Sequence, residues 1–230
     1  MNIKKIIVDD NKMDLSSDKH KINCIFGENG SGKTILFNKI KSFFADKKES
    51  EIIFNEDKKI RYPDLMFIEY SGVVSQDLSF EHIWKNRKLS DEKLDEILYK
   101  TREIISTMGL YNNIKKINGS VSIDPASSWP EYVTIFFIIL VLVREKFEPD
   151  LPLIIDSGIF ERTRPDKLFP LFEFLVKNVN QLLVFFSDTF SAPNFTQSGS
   201  LPGYEQYFYD NNLIGNVFKL KNHYLYQHRR

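Results

Sequence analysis

The chain has 230 residues, and its 31 Lys and Arg balance 31 Asp and Glu, so the formal net charge is zero. That length can bury about 70–75% of the unfolded surface without staples, and a single cysteine excludes both a disulfide framework and a multi-cysteine zinc site. Balanced charge argues against wholesale electrostatic binding of nucleic acid, and an aromatic share of 14% excludes a disordered chain.

Residues 3–8 and 21–26 predict two strands joined by a polar link over 9–20. The apolar start is interrupted by Asp9 and Asp10, too soon for a signal-peptide core. A glycine-rich turn leads into a helix over residues 33–45, with Ile35, Leu36, Ile40, Phe43 and Phe44 as its apolar stripe. Short strands are expected at 52–54 and 65–70, then a polar turn at 71–79. Residues 89–108 form an amphipathic helix that Ser90 caps, Asp91 and Glu92 suit at its positive end, and Gly109 stops. A polar, turn-rich stretch over 112–130 precedes an apolar helix over 132–147. The apolar run at 132–143 is too short for a membrane, which needs about 20 residues. It reads as a core helix, and the protein as cytoplasmic with no membrane contact.

Leu153, Ile154 and Ile155 are wholly apolar, as in a parallel strand buried on both faces, and residues 182–186 repeat that pattern. Between them residues 168–177 predict a helix. Residues 189–203 read as a loop, and 207–209 and 217–226 as edge strands. Alternating strands and helices predict an α/β fold with a largely parallel sheet. The whole chain, 1–230, is expected to be one domain, and residues 80–130 carry helical patterns without a convincing strand, so a helical subdomain is expected there.

The run Gly27-Glu28-Asn29-Gly30-Ser31-Gly32-Lys33-Thr34 matches the phosphate-loop pattern G-x-x-x-x-G-K-[ST] in full, between a buried strand and a helix. Each part has a physical task. The glycines permit close approach to phosphate. The N–H groups of Asn29, Gly30, Ser31, Gly32, Lys33 and Thr34 form an anion nest at a helix N-terminus. Lys33 reaches β- and γ-phosphates, and the Thr34 hydroxyl ligates Mg²⁺. Asp156, ending an apolar strand, is the carboxylate expected to orient Mg²⁺. The cofactors read from this pattern are ATP and Mg²⁺. The four His lack metal spacing.

With these motifs in hand, the chain resembles an ABC-type ATPase, a P-loop NTPase. More narrowly, Glu28-Asn29-Gly30-Ser31 inside the loop is similar to the heads of SMC-like chromosome-maintenance and double-strand-break-repair ATPases. The resemblance implies a Q-loop at Gln76, sensing Mg²⁺ and the attacking water, with the helical subdomain starting at about Phe80. It implies that Ser127 or Ser128, before Trp129-Pro130-Glu131, stands where the signature motif would cap a partner's γ-phosphate, although both signature glycines are gone. The catalytic Glu expected after Asp156 is Ser157, which cannot serve as a carboxylate base. Trp129 and Asp156-Ser157 are similar to a divergent SMC-like subgroup. In place of the switch His stand Ser187 and Asp188, with Asp188 as the substitute polar contact. Residues 1–25 hold no Phe, Tyr or Trp, so the adenine-stacking aromatic of transporter cassettes is missing from its usual region. The length leaves no room for long coiled-coil arms.

The resemblance therefore implies an ATP-dependent switch with slow hydrolysis. It would form a homodimer or pair with a partner protein such as an effector or nuclease, in prokaryotic DNA repair or phage defence. Nucleic acid would be reached only through a partner or a local basic patch near Lys219, Lys221 and the C-terminal Arg229 and Arg230. The alternatives are a competent ATPase with Asp188 or Glu161 as relocated base, a transporter-type cassette, and a scaffold that has lost nucleotide binding.

Overall fold

Burial decides which strands go where. The computed structural model describes residues 1–15, 21–45, 50–56, 60–61, 63–69, 89–111, 114–117, 120–123, 127–160, 163, 165–187 and 204–228. Strands β3 (Ile22–Gly27) and β9 (Leu182–Ser187) are buried at every position, which demands cover on both faces. They lie side by side at the centre of a six-stranded sheet ordered β11-β10-β3-β9-β8-β5. Here β5 is Phe67–Ile68, β8 is Leu153–Asp156, β10 is Ile214–Lys221 and β11 is Tyr224–His228. All neighbours run parallel except the edge pair β10 and β11. This is the expected α/β fold with a largely parallel sheet.

A second sheet is antiparallel. It is ordered β2-β1-β4, with β1 at Ile3–Val8, β2 at Asn11–Asp14 and β4 at Ser50–Phe54. Alternating burial in β1 fits a sheet with one covered face. Gln181 ties the two sheets together. Its side chain accepts from the Ile3 N–H at 2.7 Å and donates to the Ile3 carbonyl at 2.9 Å, while its own carbonyl accepts from Leu153 N–H at 2.9 Å.

The helices are α1 (Lys33–Ser42), α2 (Asp91–Thr107), α3 (Trp129–Phe147), α4 (Pro165–Asn178) and α5 (Tyr204–Asp210). In α3 every residue from Val133 to Arg144 is buried, so its apolar run is core. Among the described residues no helix is long and apolar enough to cross a membrane. Arg144 ends the run with its guanidinium donating to the carbonyls of Leu65, Leu151 and Pro152. Burial pushes its pKa down to about 9, against the pull of Glu148. The contacts lock α3 to the chain entering β5 and β8. Cys24 is a buried thiol, as expected, and burial pushes its pKa well up.

Several sequence expectations are corrected. The polar link contains β2, because Asp9 takes a positive φ of 51° and turns the chain back on β1. Strand 65–70 shrinks to Phe67–Ile68, since a 3₁₀ turn occupies Pro63–Met66. Within 80–130, the described residues form α2 and a hairpin of β6 (Ile114–Ile117) and β7 (Ser120–Ile123), so the segment is not helix alone. Helix α3 begins at Trp129, earlier than 132, because Ser128 caps it and Pro130 suits its first turn. Helix α4 likewise starts at Pro165. Residues 207–209 lie in α5, whose Tyr204 and Phe208 share one buried face at helical spacing. Residues 217–226 hold two strands, and the first is no edge: β10 pairs β3 along the inside of the sheet.

Candidate functional site

The phosphate loop hangs from the C-terminal end of β3, where open parallel sheets place ligands. Gly27 ends the strand under crowding. A Cβ there would lie 2.4 Å from Ser31 Oγ and 2.9 Å from the Leu220 carbonyl of β10. The loop then turns tightly, with Ser31 N–H donating to the Glu28 carbonyl at 3.1 Å. Gly30 and Gly32 have φ of 82° and 99°, the left-handed region that disfavours a side chain. Gly32 is the residue before α1, and Leu36 N–H donates to its carbonyl at 2.9 Å. Lys33 folds back across the loop, donating to the carbonyls of Gly27 at 2.8 Å and Glu28 at 2.9 Å. Its ammonium is thereby held where an anion in the nest would meet it. The Ser31 hydroxyl is buried with no hydrogen-bond partner, a polar atom of the loop left for a ligand to satisfy. Helix α1 is seated by Phe37, edge-on to Phe67 and Phe185 beneath it. Donor set and curvature fit a triphosphate with Mg²⁺.

Two walls flank the loop. On the β9 side, Ser187 Oγ donates to Asn29 Oδ1 at 3.4 Å. Asp156 ends β8, the next strand beyond β9, so about 10 Å of sheet separates its strand from that of the loop. It is half-buried, and its Oδ1 accepts from Gly158 N–H at 3.4 Å. Among the described residues no group of three His, Cys, Asp or Glu could hold a metal unaided. Mg²⁺ here would therefore rely on nucleotide oxygens besides Thr34 and Asp156, the usual preference of this ion.

On the β10 side the wall is the turn Asn222–His223 between β10 and β11. His223 N–H donates to the Ser31 carbonyl at 3.1 Å. Sequence reasoning missed this neighbour, because the turn carries no glycine and lies far along the chain. Ser187 stands in sequence, with Asp188, at the place of the switch His; its contact with Asn29 was not foreseen.

The region proposed to face a partner looks different. Glu131 accepts from the Ser128 backbone N–H at 3.0 Å and from its hydroxyl at 2.8 Å. This is a capping arrangement, so Ser128 is engaged within its own helix. Trp129 stacks on Tyr132 with centroids 5.9 Å apart and donates its indole N–H to the Ile159 carbonyl at 3.1 Å. Helix α3 is thus pinned to the 3₁₀ turn Ser157–Phe160 that follows Asp156. Ser127, beside this cap, is half-buried. Gln76, Asp188 and Glu161 lie outside the described residues.

No protein-family model matches the chain, and no curated protein matches its sequence. Solved structures do. A nucleotide-free ATP-binding cassette from an ABC transporter is 16% identical with a TM-score of 0.53, covering 99% of this chain and 90% of that one. CbiO1 from Clostridium perfringens, part of the ABC transporter complex cbiONQ, is 15% identical with a TM-score of 0.55, covering 98% and 88%. The ATP-binding cassette MJ0796, a dimer in a post-hydrolysis state bound to ADP and Pi, is 14% identical with a TM-score of 0.52, covering 97% and 91%. At such identity the likeness establishes the fold, that of an ABC cassette. All three belong to the cassette class, and they lend no support to the narrower SMC-like branch.

Proposed function

We propose that the chain binds Mg-ATP at residues 27–34 and acts as a nucleotide-dependent switch, dimerising or engaging a partner protein while hydrolysing slowly. The observation that carries this reading is the complete loop, bridged by Lys33, together with Asp156 two strands away, which Ser157 rather than a carboxylate follows. In this reading Lys33 neutralises the β- and γ-phosphates, and Thr34 and Asp156 hold Mg²⁺, which spreads the charge of the transferred group. Gln76 and Asp188 orient water. Ser127 or Ser128 and the positive end of α3 face the nucleotide of a second subunit. Without a base next to Asp156, the lifetime of the ATP state would be long. Light scattering tests the switch: mass rises toward a dimer on adding Mg-ATP to wild type and not to Lys33→Ala. An unchanged mass in wild type, with a partner also present, overturns it.

A second reading, a transporter-type cassette serving a transmembrane component, is favoured by two structural neighbours, one a cassette from an ABC transporter and one part of the ABC transporter complex cbiONQ. Against it stand the lost signature glycines and the missing early aromatic. Co-purification with a membrane protein from the native source would favour the transporter reading over the switch.

A further inference from the structure

We propose that His223 is a nucleotide-contacting residue, a donor that the β10–β11 turn delivers to the phosphates held by the loop. The inference rests on the reading of residues 27–34 as an ATP site. Three observations lead to it. First, the imidazole lies directly on the loop. A Cβ built on Gly32 would lie 2.4 Å from His223 Nδ1, 3.0 Å from Cε1 and 3.3 Å from Cγ. Nδ1 is therefore the ring atom turned most closely to the residue preceding Lys33. A ring nitrogen on that side donates a hydrogen bond when it carries the proton.

Second, the turn is held in place from both sides. His223 N–H donates to the Ser31 carbonyl at 3.1 Å. Asn11, in the neighbouring sheet, donates to the His223 carbonyl at 3.0 Å and accepts from Leu225 N–H at 2.8 Å. The ring is thus carried by a clamped backbone while the residue itself stays exposed.

Third, histidine is a poor choice for the turn itself. Lys221 pairs with Tyr224, leaving a two-residue connection in which Asn222 and His223 have φ of 49° and 66°. Two positive φ values in a two-residue hairpin are the pattern that favours Asn followed by Gly. Asn222 suits its place, and His223, though commoner than most residues at positive φ, stands where glycine is favoured. A strained residue whose side chain edges a phosphate loop is explained by what the side chain does there.

The test exploits that strain. Equilibrium binding of Mg-ATP and of Mg-tripolyphosphate is measured on the full chain, for wild type, His223→Gly and His223→Ala, with thermal unfolding alongside. His223→Gly should unfold at the same temperature or higher, since glycine suits the turn, yet bind both ligands about tenfold more weakly, the loss expected for one hydrogen bond to a charged group. His223→Ala should show the same loss of affinity. Unchanged affinity for both ligands in both variants overturns the proposal. A loss for ATP with none for tripolyphosphate also overturns it, by placing the contact on base or ribose. If wild type binds neither ligand, it is the reading of the loop that fails.

Discussion

Two corners of the molecule, the phosphate loop and the start of α3, would both face nucleotide in an ABC-type assembly, and they differ in what their polar groups are left free to do. In the loop, Ser31 Oγ is buried without a partner, and the Lys33 ammonium spans two carbonyls of the loop itself. At the start of α3, the Ser128 hydroxyl and N–H are both taken by Glu131, and the Trp129 indole by Ile159. In one corner a buried hydroxyl has no hydrogen-bond partner among the described residues. The other is satisfied by its own chain. That difference parallels the contrast between a complete loop motif and a region that has lost the signature glycines.

Gly27→Ala attacks the first corner and should have the largest effect. Its Cβ must displace Ser31 Oγ and the Leu220 carbonyl, an overpacking that costs about 2 kcal/mol. Denaturant unfolding should show that loss, and titration should show Mg-ATP binding abolished. Trp129→Phe attacks the second corner. It leaves the Ile159 carbonyl without its indole donor and should cost about 1 kcal/mol in the same unfolding measurement, while the ATP affinity of the isolated chain stays within twofold of wild type. Ser128→Ala should cost at most about 1 kcal/mol, the usual value of a helix cap, again with ATP affinity unchanged. A larger effect of Ser128→Ala on ATP-driven dimer mass than on stability would sharpen the comparison, since it would give the cap a role across a subunit boundary.

The turn over 27–34 was legible in sequence because eight consecutive residues, with glycines at two positive-φ positions, carry its geometry. The place of Asp156 at the end of β8 was legible because Leu153, Ile154 and Ile155 are wholly apolar, as a buried parallel strand requires. What escaped was built from distant segments. Ser187 meets Asn29 because β9 lies beside β3, His223 meets Gly32 because β10 lies on the other side of β3, and Asn11 meets His223 because β2 of the second sheet packs on the β10–β11 hairpin. No local pattern announces such pairings. Helix α5 escaped because aromatic residues at 207–209 imitate a strand when Tyr204 and Phe208 are not recognised as one face. The β6–β7 hairpin escaped because its four-residue strands, Ile114–Ile117 and Ser120–Ile123, are too short and too polar to stand out in a turn-rich stretch. The antiparallel β1 sheet was hidden for a different reason: sequence marked β1 as a strand, but the partner that fixes its sheet, β4, is separated from it by β3 and α1.

The central claim is that residues 27–34 bind Mg-ATP through Lys33, and isothermal titration of Mg-ATP into wild type and Lys33→Ala tests it most directly. The account predicts saturable one-to-one binding by wild type and at least a hundredfold weaker binding by a Lys33→Ala protein that still folds, the scale expected when a buried charge–charge contact is removed. Equal binding by the two proteins, or none by wild type, would contradict it.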